Sequence, residues 1–313
     1  MSMAFVFPGQ GSQEVGMGKA LADAFAPARE VFEEVNDALG QNLSKLMFEG
    51  PDDELRLTEN AQPALMAVSM AVMRTLAAEG GFSLDGKVDY VAGHSLGEYS
   101  ALAAAGAFSL GDAARLLKTR GRAMQEAVPV GEGAMAALLG LELDAAREVA
   151  EAAAQGEVCQ AANDNAPGQV VVSGHTAAVE RAVEIAKEKG AKRAVLLPVS
   201  APFHCALMAP AADVMAEALG KTEISAPVVP LVANVTAESV ADPDTIRRQL
   251  VEQVTGAVRW RESVLYMKDK GVDTLVEAGA GKVLSGLARR IDRELTGRAL
   301  NGPDDIEEFL KSL

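Results

Sequence analysis

Gly93-His94-Ser95-Leu96-Gly97 has the form G-x-S-x-G and sits between a short apolar run and an alanine-rich stretch of helical character. That context turns a common pentapeptide into a nucleophile elbow: a strand that turns sharply into a helix and leaves the serine hydroxyl exposed at the turn. The glycines matter because a Cβ at either position would crowd the turn. The helix N-terminus behind Ser95 favours developing negative charge. The alternative is a serine that merely caps the helix.

A serine nucleophile needs a base. The chain has three histidines, His94, His175 and His204. His94 adjoins Ser95, so its side chain should point away and brace the elbow or line the pocket. His175 reads as part of a solvated turn. His204 lies in Pro198-Val-Ser-Ala-Pro-Phe-His-Cys205, where two prolines stiffen the loop, and it is the candidate base; packing beside Phe203 is its other reading. The group that orients its ring is open: many carboxylates are available, and a backbone carbonyl would also serve. The loop Gly9-Gln10-Gly11-Ser12 matches neither common phosphate-binding spacing. An exposed amide near Gln10 could bind an oxyanion, or the loop could be purely structural. Arg115, Arg120 and Arg122 share one helix; a buried arginine there could grip a carboxylate through two parallel hydrogen bonds, and the residues do not say which one.

These groups must be carried by alternating strands and helices. Apolar strands are expected over 3–7 and 87–93, with helices over 18–38, after Pro63, after Ser95 and from Asp112. That alternation predicts α/β architecture with a mainly parallel sheet. The stretch from about 129 to 200 has its own order: strand 134–141, helix 143–154, strands 158–162 and 169–173 around a turn at 163–168, helix 176–189 with Thr176 as cap, and strand 193–199. This β-α-β-β-α-β order is ferredoxin-like. It predicts an inserted subdomain over 129–200 within a larger one formed by 1–128 and 201–313. Further strands are expected over 227–234 and 274–277.

Composition bounds the partners. The 313 residues are 49% hydrophobic and 23% charged, the balance of a globular protein. The formal net charge of −15 argues against nucleic acid and anionic lipid as partners. Cys159 and Cys205 fit neither a disulfide scaffold nor a metal motif, so no metal and a reducing, cytoplasmic setting are expected. No secretory signal is evident, and no apolar run approaches the roughly 20 residues of a membrane span. The protein is expected to be a monomer.

Several motifs together resemble the malonyl-CoA:acyl carrier protein transacylase family: Phe7-Pro-Gly-Gln-Gly-Ser-Gln13, Gly93-His-Ser-Leu-Gly-Glu-Tyr-Ser-Ala101, Met124-Gln-Glu-Ala-Val-Pro129, Asn163-Asp-Asn-Ala-Pro-Gly-Gln169, Pro198-Val-Ser-Ala-Pro-Phe-His204 and Glu277-Ala-Gly-Ala-Gly-Lys282. The resemblance spans nearly the whole chain in the family's order. It implies an α/β-hydrolase-like large subdomain, Ser95 as nucleophile and His204 as base. It further implies that the backbone carbonyl of Gln253 orients His204, that the amides of Gln10 and Leu96 form the oxyanion hole, and that Arg120 clamps a malonyl carboxylate. Asn163 and Gln169 would approach from the insertion, and Phe203 would exclude an α-methyl group. The implied substrates are malonyl-CoA and acyl carrier protein, with no cofactor. Because carrier proteins are acidic, Lys192 with Arg193 and Arg289 with Arg290 are expected to dock them. The rivals are a serine hydrolase or thioesterase, a non-catalytic carrier-protein scaffold, and a discrete acyltransferase of polyketide synthesis.

Overall fold

A computed structural model describes residues 2–313. The chain enters as strand β1 (Met3–Phe7), fully buried, and passes through helices α1 (Lys19–Ala24), α2 (Ala26–Leu39), α3 (Leu43–Glu49), α4 (Asp52–Arg56) and α5 (Thr58–Gly80). Strand β2 (Tyr90–Gly93) then leads into α6 (Gly97–Ala104) and α7 (Leu110–Glu126). A second block follows: β3 (Gly133–Leu139), α8 (Leu143–Ala154), β4 (Cys159–Ala166), β5 (Gln169–His175), α9 (Thr176–Glu188) and β6 (Arg193–Leu196). The remainder holds α10 (Ala209–Gly220), β7 (Leu231–Val232), β8 (Ser239–Val240), α11 (Pro243–Thr255), α12 (Trp260–Asp269), β9 (Thr274–Ala278), α13 (Val283–Ile291), β10 (Thr296–Leu300) and α14 (Pro303–Lys311).

The strands form two sheets. The larger has the order β10-β9-β1-β2-β7-β8. Its pairs are parallel except β7 with β8 at one edge. Helices cover both faces, which is why the central β1 is apolar throughout rather than alternating. The smaller sheet, β4-β5-β3-β6, is antiparallel. Its core is separate: Leu138, Val170 and Val172 from the strands pack on Val149 of α8 and Val179 of α9. Among the described residues no helix is long and apolar enough to cross a membrane.

Several expected elements differ. The helix expected over 18–38 breaks at Phe25, which is extended (φ −126°, ψ 122°) ahead of Pro27 in the first turn of α2. Pro63 lies inside α5 rather than before it; the backbone bond it forgoes is offset by burial of the helix around it, from Asn60 to Ser69. The turn expected over 163–168 shrinks to Pro167-Gly168, because β4 continues to Ala166 through two register shifts. Asn163 also bridges to Val258, and that tertiary contact overrides the turn preference of its side chain. Strand 193–199 stops at Leu196, strand 227–234 shrinks to β7, and β8 and β10 were not anticipated. Thr176 does not cap α9; its hydroxyl donates to the Gly131 carbonyl at 2.7 Å. His175 is half-buried rather than in a solvated turn, and its Nδ1 accepts the Val158 amide at 2.9 Å.

Candidate active site

The elbow forms where β2 ends. Ser95 has φ 53°, a strained value for a residue with a side chain and one typical of functional turns. The flanking glycines are obligatory: a Cβ on Gly93 would lie 1.9 Å from the Gly97 carbonyl carbon, and one on Gly97 would lie 2.3 Å from the Phe7 carbonyl oxygen. This close approach sets the elbow beside the loop that follows β1. Asn234, after β7, locks the turn: its Oδ1 accepts the Ser95 amide at 2.8 Å and its Nδ2 donates to the Gly93 carbonyl at 2.8 Å.

Ser95 Oγ lies 2.7 Å from His204 Nε2. His204 is also held at positive φ, 58°, on the loop ahead of α10. Its Nδ1 lies 3.0 Å from the Gln253 carbonyl oxygen and 3.1 Å from that of Gly256. Both are acceptors only, so Nδ1 carries the hydrogen and Nε2 keeps its lone pair for the serine proton. Burial, helped by the Arg120 charge, lowers the His204 pKa to about 3, so the ring is neutral near pH 7.

Arg120 settles which arginine of α7 faces inward. Arg115 and Arg122 are exposed and pair with Asp112 and Glu59, whereas Arg120 is 1% exposed. Its Nη1 donates to Gln62 Oε1 and its Nη2 to Gln253 Oε1, each at 2.8 Å, and Nη2 also reaches Ser95 Oγ at 3.1 Å. Two neutral amides thus hold the guanidinium, leaving its charge for something that enters the cavity.

That cavity measures about 380 Å³. Ser95, His204, Arg120, Gln10, Leu96 and His94 line it on the side of the larger sheet, with Phe203 beside the base. The smaller sheet contributes Met135, Asn163, Asn165 and Val171, so both sheets border the one cavity. Among the described residues, neither the Gln10 nor the Leu96 amide has a hydrogen-bond acceptor. Gln10 is fixed by the Thr58 hydroxyl, which donates to its Oε1 at 2.8 Å. His94 turns away from Ser95: its Nε2 lies 2.8 Å from Asn165 Oδ1 and its ring 5.8 Å from that of Trp260. Burial lowers its pKa as well.

Not every expected residue meets here. Gln169 does not line the cavity; Asn165 does. Lys192, Arg193, Arg289 and Arg290 lie outside it, without an acidic partner within 4.0 Å among the described residues. Arg289 and Arg290 end α13, where cations complement the helix dipole. Gln62, Asn234 and Glu98 were not anticipated. A glutamine immediately before a proline in an otherwise apolar helix was the available signal for Gln62. Among the described residues no cluster of His, Cys, Asp and Glu is arranged to hold a metal ion.

The acyl transferase domain model matches residues 4–293. Across 308 residues the chain is 50% identical to the malonyl CoA-acyl carrier protein transacylase of Escherichia coli (strain K12), covering 98% of each chain. The crystal structure of an acyl-carrier-protein-S-malonyltransferase from Bartonella henselae superposes with a TM-score of 0.97 at 58% identity, covering 100% of this chain and 99% of that one. A malonyl-transacylase in complex with a type II PKS acyl-carrier protein superposes with a TM-score of 0.96 at 43% identity, covering 100% of both chains.

Proposed function

The chain belongs to the acyl transferase domain family, and from that premise we propose that it carries malonyl groups from malonyl-CoA to the phosphopantetheine thiol of acyl carrier protein through an acyl-Ser95 intermediate. The observation that carries this reading is the Ser95–His204 contact of 2.7 Å with Arg120 Nη2 on the same hydroxyl at 3.1 Å. A nucleophile, its base and a carboxylate-binding cation converge on one atom.

In this mechanism the malonyl carboxylate meets Arg120. Ser95 Oγ attacks the thioester carbonyl and passes its proton to His204 Nε2. The Gln253 and Gly256 carbonyls stabilise the resulting imidazolium, so no acidic residue is needed for a triad. The tetrahedral oxyanion is bound by the free amides of Gln10 and Leu96, which contribute about 3 kcal/mol each by analogy with other oxyanion holes. Collapse expels the CoA thiolate, which takes the proton from His204. The carrier-protein thiol then repeats the steps in reverse, a ping-pong exchange. The chain's own groups, the malonyl thioester and the carrier-protein thiol complete this cycle, so no cofactor is invoked. Asn163 lines the acyl pocket and Phe203 limits room at the α-carbon, while His94 braces the elbow. Lys192, Arg193, Arg289 and Arg290 receive the acidic carrier protein.

The larger unit, 1–128 with 201–313, is read as α/β-hydrolase-like, and 129–200 as a ferredoxin-like insertion. The sheet order β4-β5-β3-β6 with α8 and α9 as crossovers supports the latter. A cytoplasmic, monomeric enzyme is the setting this reading adopts. A carrier protein of polyketide synthesis is a second acceptor, supported by the likeness to the complex with a type II PKS carrier protein. The test is transfer of labelled malonyl from malonyl-CoA to holo carrier protein, with Ser95→Ala as control. Labelled carrier protein is expected with the unaltered chain only. Labelled free malonate in its place would mean a hydrolase.

A further inference from the structure

Glu98, the second residue of α6, is a buried carboxylate (1% exposed) that does not line the cavity. Its Oε1 accepts the Asn234 amide at 2.6 Å and its Oε2 accepts from Gln253 Nε2. Both partners reach the site. Asn234 Oδ1 holds the Ser95 amide at 2.8 Å. Gln253 Nε2 also donates to the Ser95 carbonyl at 2.8 Å, while its Oε1 accepts from Arg120 Nη2 at 2.8 Å.

A glutamine amide has one donating and one accepting end. Gln253 lies between an arginine, which only donates, and a carboxylate, which only accepts. One orientation satisfies both. We infer that Glu98 is a positioning residue: it turns the Gln253 amide so that Oε1 faces Arg120, and thereby aims the guanidinium at an acyl group that carries a carboxylate. The inference rests on the malonyl-transfer reading. It assigns a task to a buried acid that the chemical steps do not use. Burial pushes the Glu98 pKa up, while its two N–H donors and the Arg120 charge oppose that rise and favour the accept-only carboxylate that these contacts require.

Glu98→Gln keeps the shape but places an N–H donor against Asn234 or Gln253. Gln253 relieves the clash by flipping, which turns its own N–H groups on Arg120. The test compares kcat/KM for acylation by malonyl-CoA and by p-nitrophenyl acetate, which uses Ser95 and His204 but has no carboxylate. The variants are Glu98→Gln, Gln253→Leu (which keeps the main-chain carbonyl on His204) and both together. Glu98→Gln is expected to lower the malonyl-to-acetate ratio about tenfold, the scale of one charge-assisted hydrogen bond. The double variant is expected to match Gln253→Leu, because the effect passes through that amide. Equal loss with both acyl donors, or a further fall of the ratio in the Gln253→Leu background, would overturn the inference. If Glu98→Gln does not fold, an unchanged ratio in Gln253→Leu overturns it alone. An unaltered chain that releases p-nitrophenol but takes no malonyl would overturn the malonyl reading and this inference with it.

Discussion

Replacing Arg120 with alanine tests the acyl-group selectivity of the site. The guanidinium is already ordered by Gln62 and Gln253 at 2.8 Å each, so little freedom is lost when it meets a carboxylate. Two charge-assisted hydrogen bonds at about 1.5–3 kcal/mol each give about 3–6 kcal/mol of binding that alanine removes. At about 1.4 kcal/mol per tenfold, kcat/KM for malonyl-CoA should fall roughly 10²- to 10⁴-fold. Acetyl-CoA brings no carboxylate and should lose far less. The variant also strands Gln62 Oε1 and Gln253 Oε1 without their donor, costing about 1–3 kcal/mol of stability each. Single-turnover acylation followed with both thioesters, at a temperature where the variant stays folded, reads the difference. A loss of equal size with malonyl-CoA and acetyl-CoA would refute the reasoning, because it would mean that Arg120 acts on Ser95 rather than on the acyl group.

The depressed His204 pKa has a defined sign: the neutral ring is the base, so activity is lost only when the folded-state pKa is approached from above. The kcat/KM profile for acylation should therefore stay flat as pH falls through 6.5 and bend only well below it, towards about 3; a midpoint near 6.5 would contradict the burial argument. Phe203→Ser should raise the methylmalonyl-to-malonyl ratio about 10- to 100-fold, the scale of one methyl in a pocket, and an unchanged ratio in competition assays would remove the steric role of the ring. Charge reversal at Arg193 and Arg290 should slow discharge onto carrier protein and weaken its salt dependence while acylation by malonyl-CoA is preserved; unaltered discharge would remove the docking assignment.

The elbow was legible because its signal is local: Gly93, Ser95 and Gly97 lie within five residues, and the clashes that require glycine are made with the adjoining backbone. His204 was accessible by elimination among three histidines. Arg120 was not accessible from residue types, since the choice among three arginines depends on which face of α7 is buried; only the family resemblance selected it. Gln62, Asn234 and Glu98 escaped for a different reason. Their partners are 58, 139 and 155 residues away in sequence, and a polar residue carries no local mark of a distant partner. The stretch from Asn163 to Asn165 read as a turn because each side chain favours one. The bridge to Val258 and the ion pair of Asp164 with Arg261 at 2.9 Å draw it into a strand instead. The smaller sheet thereby reaches the cavity, which composition alone did not foretell.

The covalent intermediate is the centre of the account, and the mass of the intact protein reads it directly. After brief incubation with malonyl-CoA and no acceptor, the unaltered chain should gain one malonyl group, Ser95→Ala should gain none, and added carrier protein should discharge the adduct. A malonyl adduct that persists in Ser95→Ala, or malonyl transfer to carrier protein without any adduct at Ser95, would contradict it.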